Sequence, residues 1–453
     1  MSTSLRPYQK AAIEKFLNNT PHRLLLAHAM GSGKSRTAIE AVKQIQAVKI
    51  LVVSPAIVRQ NWIREFSRWY PEAKPAAIKW GRKRTKGLSK AELLERDAAF
   101  NADIQVVSYA LLDEVDTTWD AIIIDETHKL RSPLSQQSKL VRALARNNPD
   151  AAMLALSGTA IPNEIRQIWG PIDTLFPAAL GQAQKTGREP WSFLNKYCLT
   201  SKNEYGTQHF GFKKEKQAQL LKELGPYIHE VAQSELAQFL PDLFVEPLIL
   251  DEPRLLSAVT IDWLETLDEN TTHIGIFTHL RNTAADVAAA LKEKFPEIPT
   301  YLVTGDISAD HRDEALQAAK ANEKAFIVGT THSLNEGISL SFIKAALVLE
   351  WTAELDQVTQ FIGRFARQDS LNNMPTFVRF VQTLEDTEKA QRLQTRVENR
   401  NLILKAGRAE TIATNLFKPI ELSDDKIDAL FQGALNSFRL ELNEWETEEE
   451  DNS

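Results

Sequence analysis

Apolar residues in this chain occur in short, nearly continuous runs that alternate with helical patterns. In the first part of the chain these runs are 24–27, 50–53, 104–107, 121–124 and 154–156. In the second part they are 274–277, 300–303, 325–328 and 345–349. Such runs are typical of parallel strands that helices cover on both faces. The pattern therefore predicts an α/β fold with two doubly wound parallel sheets.

The same pattern divides the chain into five segments. Residues 1–180 and 251–405 carry the two strand-helix alternations, and their combined length is too great for one hydrophobic core. Residues 181–250 are broken by proline and glycine and have helical patterns over 213–224 and 228–239, which predicts a helical insertion and linker. We expect a short helical extension over 406–440 and a disordered acidic tail over 441–453.

The overall composition favours a soluble globular protein, with 43% apolar and 25% charged residues. No apolar run is long enough to span a bilayer, and the first residues lack the apolar core of a signal peptide. We therefore expect a cytoplasmic protein without a membrane partner. The single cysteine, Cys198, excludes a disulfide framework and a cysteine-rich zinc site.

The net charge of −7 is concentrated at the end of the sequence, where residues 441–453 hold seven carboxylates and no basic residue. Without that tail, the chain has 53 acidic and 53 basic residues. Nucleic-acid binding would therefore depend on local patches. One such patch is the segment 79–90, which has six basic residues and no acidic one, and we expect Arg82, Lys83 and Arg84 to contact a phosphate backbone.

A glycine loop, residues 29–35, lies between the first apolar run and a helical pattern over 37–42. Glycine allows close approach of the backbone to a phosphate, and the helix that follows presents the positive end of its dipole. Four residues are expected to cradle the phosphates of ATP: Met30, Gly31, Ser32 and Gly33.

Two side chains that follow these glycines complete the predicted nucleotide site. Lys34 would neutralise charge on the β and γ phosphates, and the hydroxyl of Ser35 would hold Mg²⁺. The strict phosphate-loop pattern has glycine at position 28, where this chain has His28. Upstream of the loop, the amide of Gln9 is expected to bind the adenine edge, because it can donate and accept hydrogen bonds at once.

Two adjacent carboxylates, Asp125 and Glu126, end the apolar run 121–124. This places them at the carboxyl end of a buried strand, where open parallel sheets bind ligands. We expect Asp125 to hold Mg²⁺ through water and Glu126 to orient and polarise the attacking water. A third strand, 154–156, leads into the turn Ser157-Gly158-Thr159.

In order and spacing, these segments resemble the motifs of superfamily 2 helicases, and specifically of the Swi/Snf-type ATPase branch. The matching segments are 31–35 with motif I, Ser54-Pro55 with Trp62 and Glu65 with motif Ia, Ser108-Tyr109 with motif Ib, 125–128 with motif II and 157–159 with motif III. The acid box of that family usually reads D-E-A-H, and here it reads D-E-T-H. The resemblance implies two RecA-like lobes that face each other across an ATP cleft.

The second part of the chain has the remaining motifs of that family. The segment 334–340 resembles motif V, from which Gly337 is expected at the nucleotide. Residues 357–368 match motif VI, so the resemblance implies that Arg364 and Arg367 reach the γ phosphate across the cleft and stabilise charge in the transition state. Just before Leu240-Pro241 the family usually has arginines, whereas this chain has His229-Glu230.

The resemblance also implies contacts with the phosphates of a DNA strand. Hydroxyls or nearby amides are expected to make them at four positions: Ser54, Tyr109, Thr159 and Thr330. Such contacts carry no sequence information.

Taken as a whole, the resemblance implies a DNA-dependent ATPase motor that uses ATP and Mg²⁺. The compact length and residues 62–71 are most similar to the annealing-helicase and fork-remodelling subgroup, which favours forked or branched DNA, a bacterial or phage origin, a monomer and a protein partner from replication or recombination. Two alternatives stay open. One is a translocase that remodels or strips protein on duplex DNA without unwinding it, and the other is a nucleotide-gated binding module in which hydrolysis is incidental.

Overall fold

The computed structural model contains two parallel β-sheets that are each flanked by helices. It describes residues 4–29, 31–116, 118–158, 165–203, 206–231, 236, 243–250, 254–334, 339–352, 354–365, 376–383, 386, 389 and 391–393. The predicted C-terminal extension and acidic tail lie outside these residues. The expected site residues Met30, Thr159, Gly337 and Arg367 lie outside them as well.

In the part of the chain that the structure describes, the first sheet is built from seven parallel strands. They are β1 (Arg23–His28), β2 (Ile50–Ser54), β3 (Pro75–Ala77), β4 (Ile104–Ser108), β5 (Ala121–Ile124), β6 (Ala152–Ser157) and β9 (Ile228–Val231). Their order across the sheet is β3-β4-β2-β5-β6-β1-β9. Strands β1, β2, β4, β5 and β6 are buried along their whole length because helices cover both faces.

The helices of this first lobe are α1 (Pro7–Asn18), α2 (Lys34–Gln44), α3 (Arg59–Trp69), α4 (Lys90–Phe100), α5 (Gln136–Asn147) and α6 (Trp169–Leu175). Short 3₁₀ helices follow four of the strands, at Ala56–Val58, Tyr109–Glu114, Thr127–Leu130 and Ile165–Ile168. Because parallel strands end at the same edge of a sheet, the loops that carry motifs I, Ia, Ib and II meet at one edge. The predicted order of strand, glycine loop and helix is confirmed by β1 and α2.

Within the described residues, the second sheet has six parallel strands. They are β10 (Leu243–Ile249), β11 (His273–Thr278), β12 (Thr300–Val303), β13 (Ala325–Thr330), β14 (Ala345–Val348) and β15 (Thr376–Gln382), in the spatial order β10-β15-β14-β11-β13-β12. The helices of this lobe are α9 (Leu256–Glu265), α10 (Arg281–Lys294), α11 (Ala309–Ala321), α12 (Thr331–Leu334) and α13 (Leu355–Ile362). The predicted α/β fold with two parallel-sheet lobes is confirmed.

The segment 181–250 is mixed in structure. It has two helices, α7 (Trp191–Tyr197) and α8 (Gln217–Leu224), and an antiparallel hairpin of β7 (Leu199–Asn203) and β8 (Gly206–Phe210). Side chains of α7 and α8 are buried in the core of the first lobe, among them Phe193 and Leu220. The segment therefore packs on the first lobe and also contributes β9 and β10 to the two sheets.

The helix predicted over 228–239 is wrong at its start, because residues 228–231 form β9. This strand pairs in parallel with β1, where Leu26 lies opposite His229 and His28 opposite Val231. Backbone pairing with an existing sheet edge outweighs the helical pattern of the segment. The pattern of a segment gives no sign of this pairing, because the partner strand β1 is about 200 residues away in the sequence. Among the described residues, no helix is both long and apolar enough to cross a membrane.

Candidate active site and nucleic-acid interface

The glycine loop after β1 has the backbone shape that close approach to an anion requires. Gly31 and Gly33 have positive φ angles of 77° and 76°, and α2 begins directly at Lys34. Between the glycines, Ser32 is fully buried, and its hydroxyl has no hydrogen-bond partner among the described residues. A buried donor of this kind beside a helix N-terminus fits a phosphate group.

Two side chains of α1 donate hydrogen bonds to the backbone of this loop. The hydroxyl of Tyr8 donates to the carbonyl of Ser32 at 2.9 Å, and the amide of Gln9 donates to the same carbonyl at 3.2 Å. The carbonyl oxygen of the Gln9 amide accepts from the backbone N–H of Arg6 at 3.0 Å. Gln9 thus braces the loop, and its expected contact with adenine stays a prediction.

The side chain of Lys34 folds back over the loop. Its ammonium donates to the carbonyls of His28 at 2.8 Å and of Ala29 at 3.3 Å. His28, which stands where the strict loop pattern has glycine, is buried, and its Nε2 lies 2.9 Å from Nδ1 of His229 on β9. Burial, together with the neighbouring His229 and Lys34, lowers the pKa of His28 well below its ordinary value. His28 is therefore neutral at pH 7.

Asp125 follows β5, and both of its carboxylate oxygens and its backbone carbonyl accept hydrogen bonds. One carboxylate oxygen accepts from the indole N–H of Trp62 at 2.9 Å, and the other accepts from the backbone N–H of Glu126 at 2.9 Å. The backbone carbonyl of Asp125 accepts from the hydroxyl of Tyr109 at 2.6 Å. Burial and the adjacent Glu126 raise the pKa of Asp125, while the Trp62 hydrogen bond and Lys34 oppose that shift.

Glu126 lies at one of the contacts between the two lobes. Its φ and ψ of 53° and 54° are left-handed, an uncommon conformation for a residue with a side chain. One carboxylate oxygen lies 3.2 Å from Nδ1 of His128, and the other lies 3.8 Å from the guanidinium of Arg364 of the second lobe. Burial alone would raise the pKa of Glu126, but His128, Arg364 and Lys34 together lower it. Glu126 is therefore ionised.

The structure thus brings together four of the predicted catalytic residues. The charge of Lys34 acts on the pKa of both carboxylates. Arg364, only 2% exposed, reaches Glu126 from beyond the end of α13. Ser35 lies in the first turn of α2, as a Mg²⁺ ligand would require. The residues present therefore fit ATP with Mg²⁺.

A cavity of about 510 Å³ lies between the lobes and is lined by side chains of both. Among the described residues that line it, none is acidic, and six are arginine, lysine or histidine: His128, Lys129, Arg131, Arg281, Arg312 and His332. Several have polar partners nearby, since Arg281 pairs with Asp306 and Arg312 donates to the carbonyl of Ser333. A cleft lined by one sign of charge focuses the electrostatic field and attracts a phosphate backbone.

The sequence did not single out these six residues as phosphate ligands. Lys129 and Arg131 come three and five residues after Glu126, which is a signal that the sequence contains. Arg281 and Arg312 lie in α10 and α11, and they join the cavity only through the packing of the two lobes.

Three of the side chains that the resemblance assigns to DNA contact are buried in the protein. Ser54, Tyr109 and Thr330 are at most 5% exposed, and the Thr330 hydroxyl is hydrogen-bonded to that of Ser333. Their contact with phosphate, directly or through nearby amides, stays a prediction. In the basic segment 79–90, Arg82 pairs with Asp116 at 2.8 Å, whereas Lys83 and Arg84 are exposed.

Comparison with protein families gives two matches along the chain. The SNF2-related domain matches residues 8–251, and the helicase conserved C-terminal domain matches residues 257–369. The first range contains the whole first sheet and also β10 of the second sheet. The second range contains β11 to β14, and β15 lies outside both ranges.

Individual relatives are similar over part of the chain. The putative ATP-dependent helicase/translocase YwqA of Bacillus subtilis is 26% identical over 357 residues, which cover 73% of this chain and 35% of that protein. The ISWI chromatin-remodeling complex ATPase ISW1 of Saccharomyces cerevisiae is 26% identical over 192 residues, covering 40% of this chain and 16% of the relative. The chain thus spans about a third or less of the length of these relatives.

The fold is also found in a solved structure, that of Mss116p bound to ssRNA and AMP-PNP. It superposes with a TM-score of 0.59 at 12% sequence identity and covers 97% of this chain and 81% of that chain. Because the sequence identity is low, this likeness shows only that the two proteins share the two-lobe fold.

Proposed function

Because the chain belongs to the SNF2-related domain family, within the superfamily 2 helicases and translocases, we propose that it hydrolyses ATP and couples hydrolysis to movement on DNA. The observation that carries this proposal is the contact between Glu126 and Arg364 at 3.8 Å, which joins the two lobes at the predicted reaction centre. A hydrolysis site that is complete only when both lobes meet makes turnover depend on lobe closure.

The residues divide the work of phosphoryl transfer between them. Gly31 to Gly33 and the start of α2 bind the phosphates, and Lys34 leaves the loop carbonyls to neutralise the β and γ phosphates. Ser35 and Asp125 would hold Mg²⁺, which neutralises phosphate charge when bound.

The remaining two side chains act on the attacking water and on the developing charge. The ionised Glu126 orients and polarises the water, and the guanidinium of Arg364 stabilises charge on the γ phosphate in the transition state. The left-handed backbone at Glu126 directs its carboxylate toward His128 and Arg364.

The interlobe cavity supports a nucleic-acid strand as the track of this motor. Cationic side chains of both lobes line it, so a strand bound there would contact both lobes. Lobe closure would then shift the phosphate contacts of one lobe relative to those of the other. The contacts would be made to phosphates and would carry no sequence preference. We propose forked or branched DNA as the substrate, in replication, recombination or repair, from the resemblance to the fork-remodelling subgroup.

A second candidate function is that of a translocase which tracks along duplex DNA and removes bound protein without unwinding. It is supported by the similarity to a protein named as a helicase/translocase. The nucleotide-gated binding module has less support, because such a module has little use for a carboxylate and an arginine finger that meet at the reaction centre.

These functions are separated by measuring phosphate release from ATP by the purified protein. The reactions contain no nucleic acid, single-stranded DNA, duplex DNA, forked DNA, four-way DNA or single-stranded RNA, and Glu126→Gln is the inactive control. Stimulation about tenfold or more by forked or four-way DNA supports the fork motor. Equal stimulation by plain duplex favours the translocase, stimulation by RNA alone overturns the choice of DNA, and turnover without any stimulation favours the gated module.

A further inference from the structure

Trp62 is a buried tryptophan whose only polar atom contacts the predicted metal-holding carboxylate. It lies in the first part of α3, is 1% exposed and packs against Phe66 with a ring separation of 6.2 Å. Its indole N–H donates to a carboxylate oxygen of Asp125 at 2.9 Å, across 63 positions of sequence. Packing in the core does not by itself require a polar N–H, so the N–H is the feature to be explained.

The contacts of Asp125 leave its side chain little freedom. The Trp62 N–H holds one carboxylate oxygen, the backbone N–H of Glu126 holds the other, and Tyr109 holds the backbone carbonyl. Each carboxylate oxygen can accept more than one hydrogen bond, so both keep capacity for water on a metal ion. The Trp62 contact therefore fixes the direction of the carboxylate without using all of its acceptors.

The indole is suited to this task because it is only a donor and has no competing acceptor. A hydrogen bond to an ionised oxygen is stronger than one between neutral groups, and it favours the charged form of the carboxylate against burial. Groups that orient a metal ligand from outside typically change metal affinity by about 10- to 100-fold when they are removed.

We propose that Trp62 is a positioning residue for Mg²⁺: its N–H sets the carboxylate of Asp125 in the direction that meets the metal on bound nucleotide. This inference rests on the proposed function, since it assigns Asp125 to the metal. It adds a residue of α3, outside the glycine loop and the acid pair, to the machinery of the nucleotide site.

The test is the gain in nucleotide affinity that Mg²⁺ confers, measured by calorimetry with AMP-PNP in Mg²⁺ and in EDTA. Trp62→Phe keeps an aromatic ring and deletes the N–H. Trp69→Phe is the matched control, because Trp69 lies on the same helix and donates its N–H at 2.9 Å to another carboxylate, that of Glu65. Thermal unfolding of both variants reports any loss of packing.

We expect Trp62→Phe to reduce the Mg²⁺-dependent gain in affinity about tenfold, with the affinity in EDTA unchanged, and Trp69→Phe to leave both values unchanged. A gain equal to that of the wild type in a folded Trp62→Phe protein would overturn the proposal. Equal losses of affinity with and without Mg²⁺ would overturn it too, because they would indicate a packing role. If the wild type itself gains nothing from Mg²⁺, the proposed ATP and Mg²⁺ site is wrong, and this inference is wrong with it.

Should Trp62→Phe unfold, the same comparison can be made without changing the shape of the side chain. Benzothienylalanine introduced at position 62 replaces the indole N–H with sulfur and keeps both rings. A reduced Mg²⁺-dependent gain in that protein supports the proposal, and an unchanged gain overturns it.

Discussion

Arg64 on α3 of the first lobe and Asp313 on α11 of the second lobe form a two-point ion pair. The two guanidinium nitrogens lie 2.9 and 3.1 Å from the two carboxylate oxygens. Near the same place, the 3₁₀ helix Ala56–Val58 contacts α11. The pair thus joins the two lobes in the same arrangement in which Arg364 lies beside Glu126.

Reversing one charge of this pair should weaken this arrangement of the two lobes and lower stimulated ATP hydrolysis. Exposed ion pairs contribute about 1 kcal/mol or less, so Arg64→Asp or Asp313→Arg should each reduce kcat by up to about fivefold. The double exchange should restore most of the rate, and high salt should shrink the difference. Arg68→Asp, on the same helix, controls for the change in net charge. Failure of the double exchange to recover activity would show that the pair does not act as a unit.

Arg364 is expected to act in the transition state more than in nucleotide binding. Arg364→Lys keeps a positive charge but loses the planar fork of donors, so kcat should fall by about 10³-fold while the affinity for AMP-PNP changes little. Arg379→Lys is the matched control, because Arg379 also faces a glutamate, at 3.7 Å, but on the exposed face of β15. Steady-state hydrolysis together with calorimetry distinguishes the two effects. A parallel loss of kcat and nucleotide affinity would contradict an arginine finger.

The sequence predicted those parts of the molecule that local chemistry determines. The glycine loop between β1 and α2 requires positive φ angles that glycine tolerates, and the acid pair ends an apolar run, so residue order alone was enough to place both. Contacts between distant segments could not be placed in this way. Trp62 meets Asp125, and Arg64 meets Asp313, only because whole helices pack together. No periodicity in the chain encodes those distances.

The edge strand β9 shows the same limit at the level of secondary structure. Its four residues become a strand because β1 offers an open edge. That pairing also brings His229 into contact with His28, the residue that stands where the phosphate-loop pattern has glycine. Neither His28 nor His229, taken alone in the sequence, indicates that the two histidines are in contact.

The neutral His28 should make the protein less stable in acid. Folding lowers the pKa of His28, so below about pH 6.5 the unfolded chain binds more protons than the folded chain, and stability falls as the pH decreases toward the lower folded value. A histidine that stays neutral when folded would contribute a loss of about 1.4 kcal/mol at about pH 5.5. Urea unfolding at about pH 7.5 and 5.5 measures this loss. His28→Gln should reduce it, and His279→Gln, at an exposed histidine, should not. An unchanged loss in His28→Gln would assign the acid sensitivity to other groups.

Gly33 and Gly87 offer a matched test of how the phosphate loop is braced. Both have positive φ, 76° and 80°, so alanine at either position should destabilise the fold by about 1 kcal/mol through backbone strain. A Cβ at Gly33 would also lie 2.8 Å from the amide nitrogen of Gln9, whereas one at Gly87 would meet nothing within 4 Å. Gly33→Ala should therefore displace the Gln9 brace and weaken AMP-PNP binding by about tenfold or more, while Gly87→Ala leaves binding unchanged. Calorimetric titration and thermal unfolding of the two variants check this. Because the strain is common to both, equal affinities would show that the contact between Gln9 and the loop has no part in binding nucleotide.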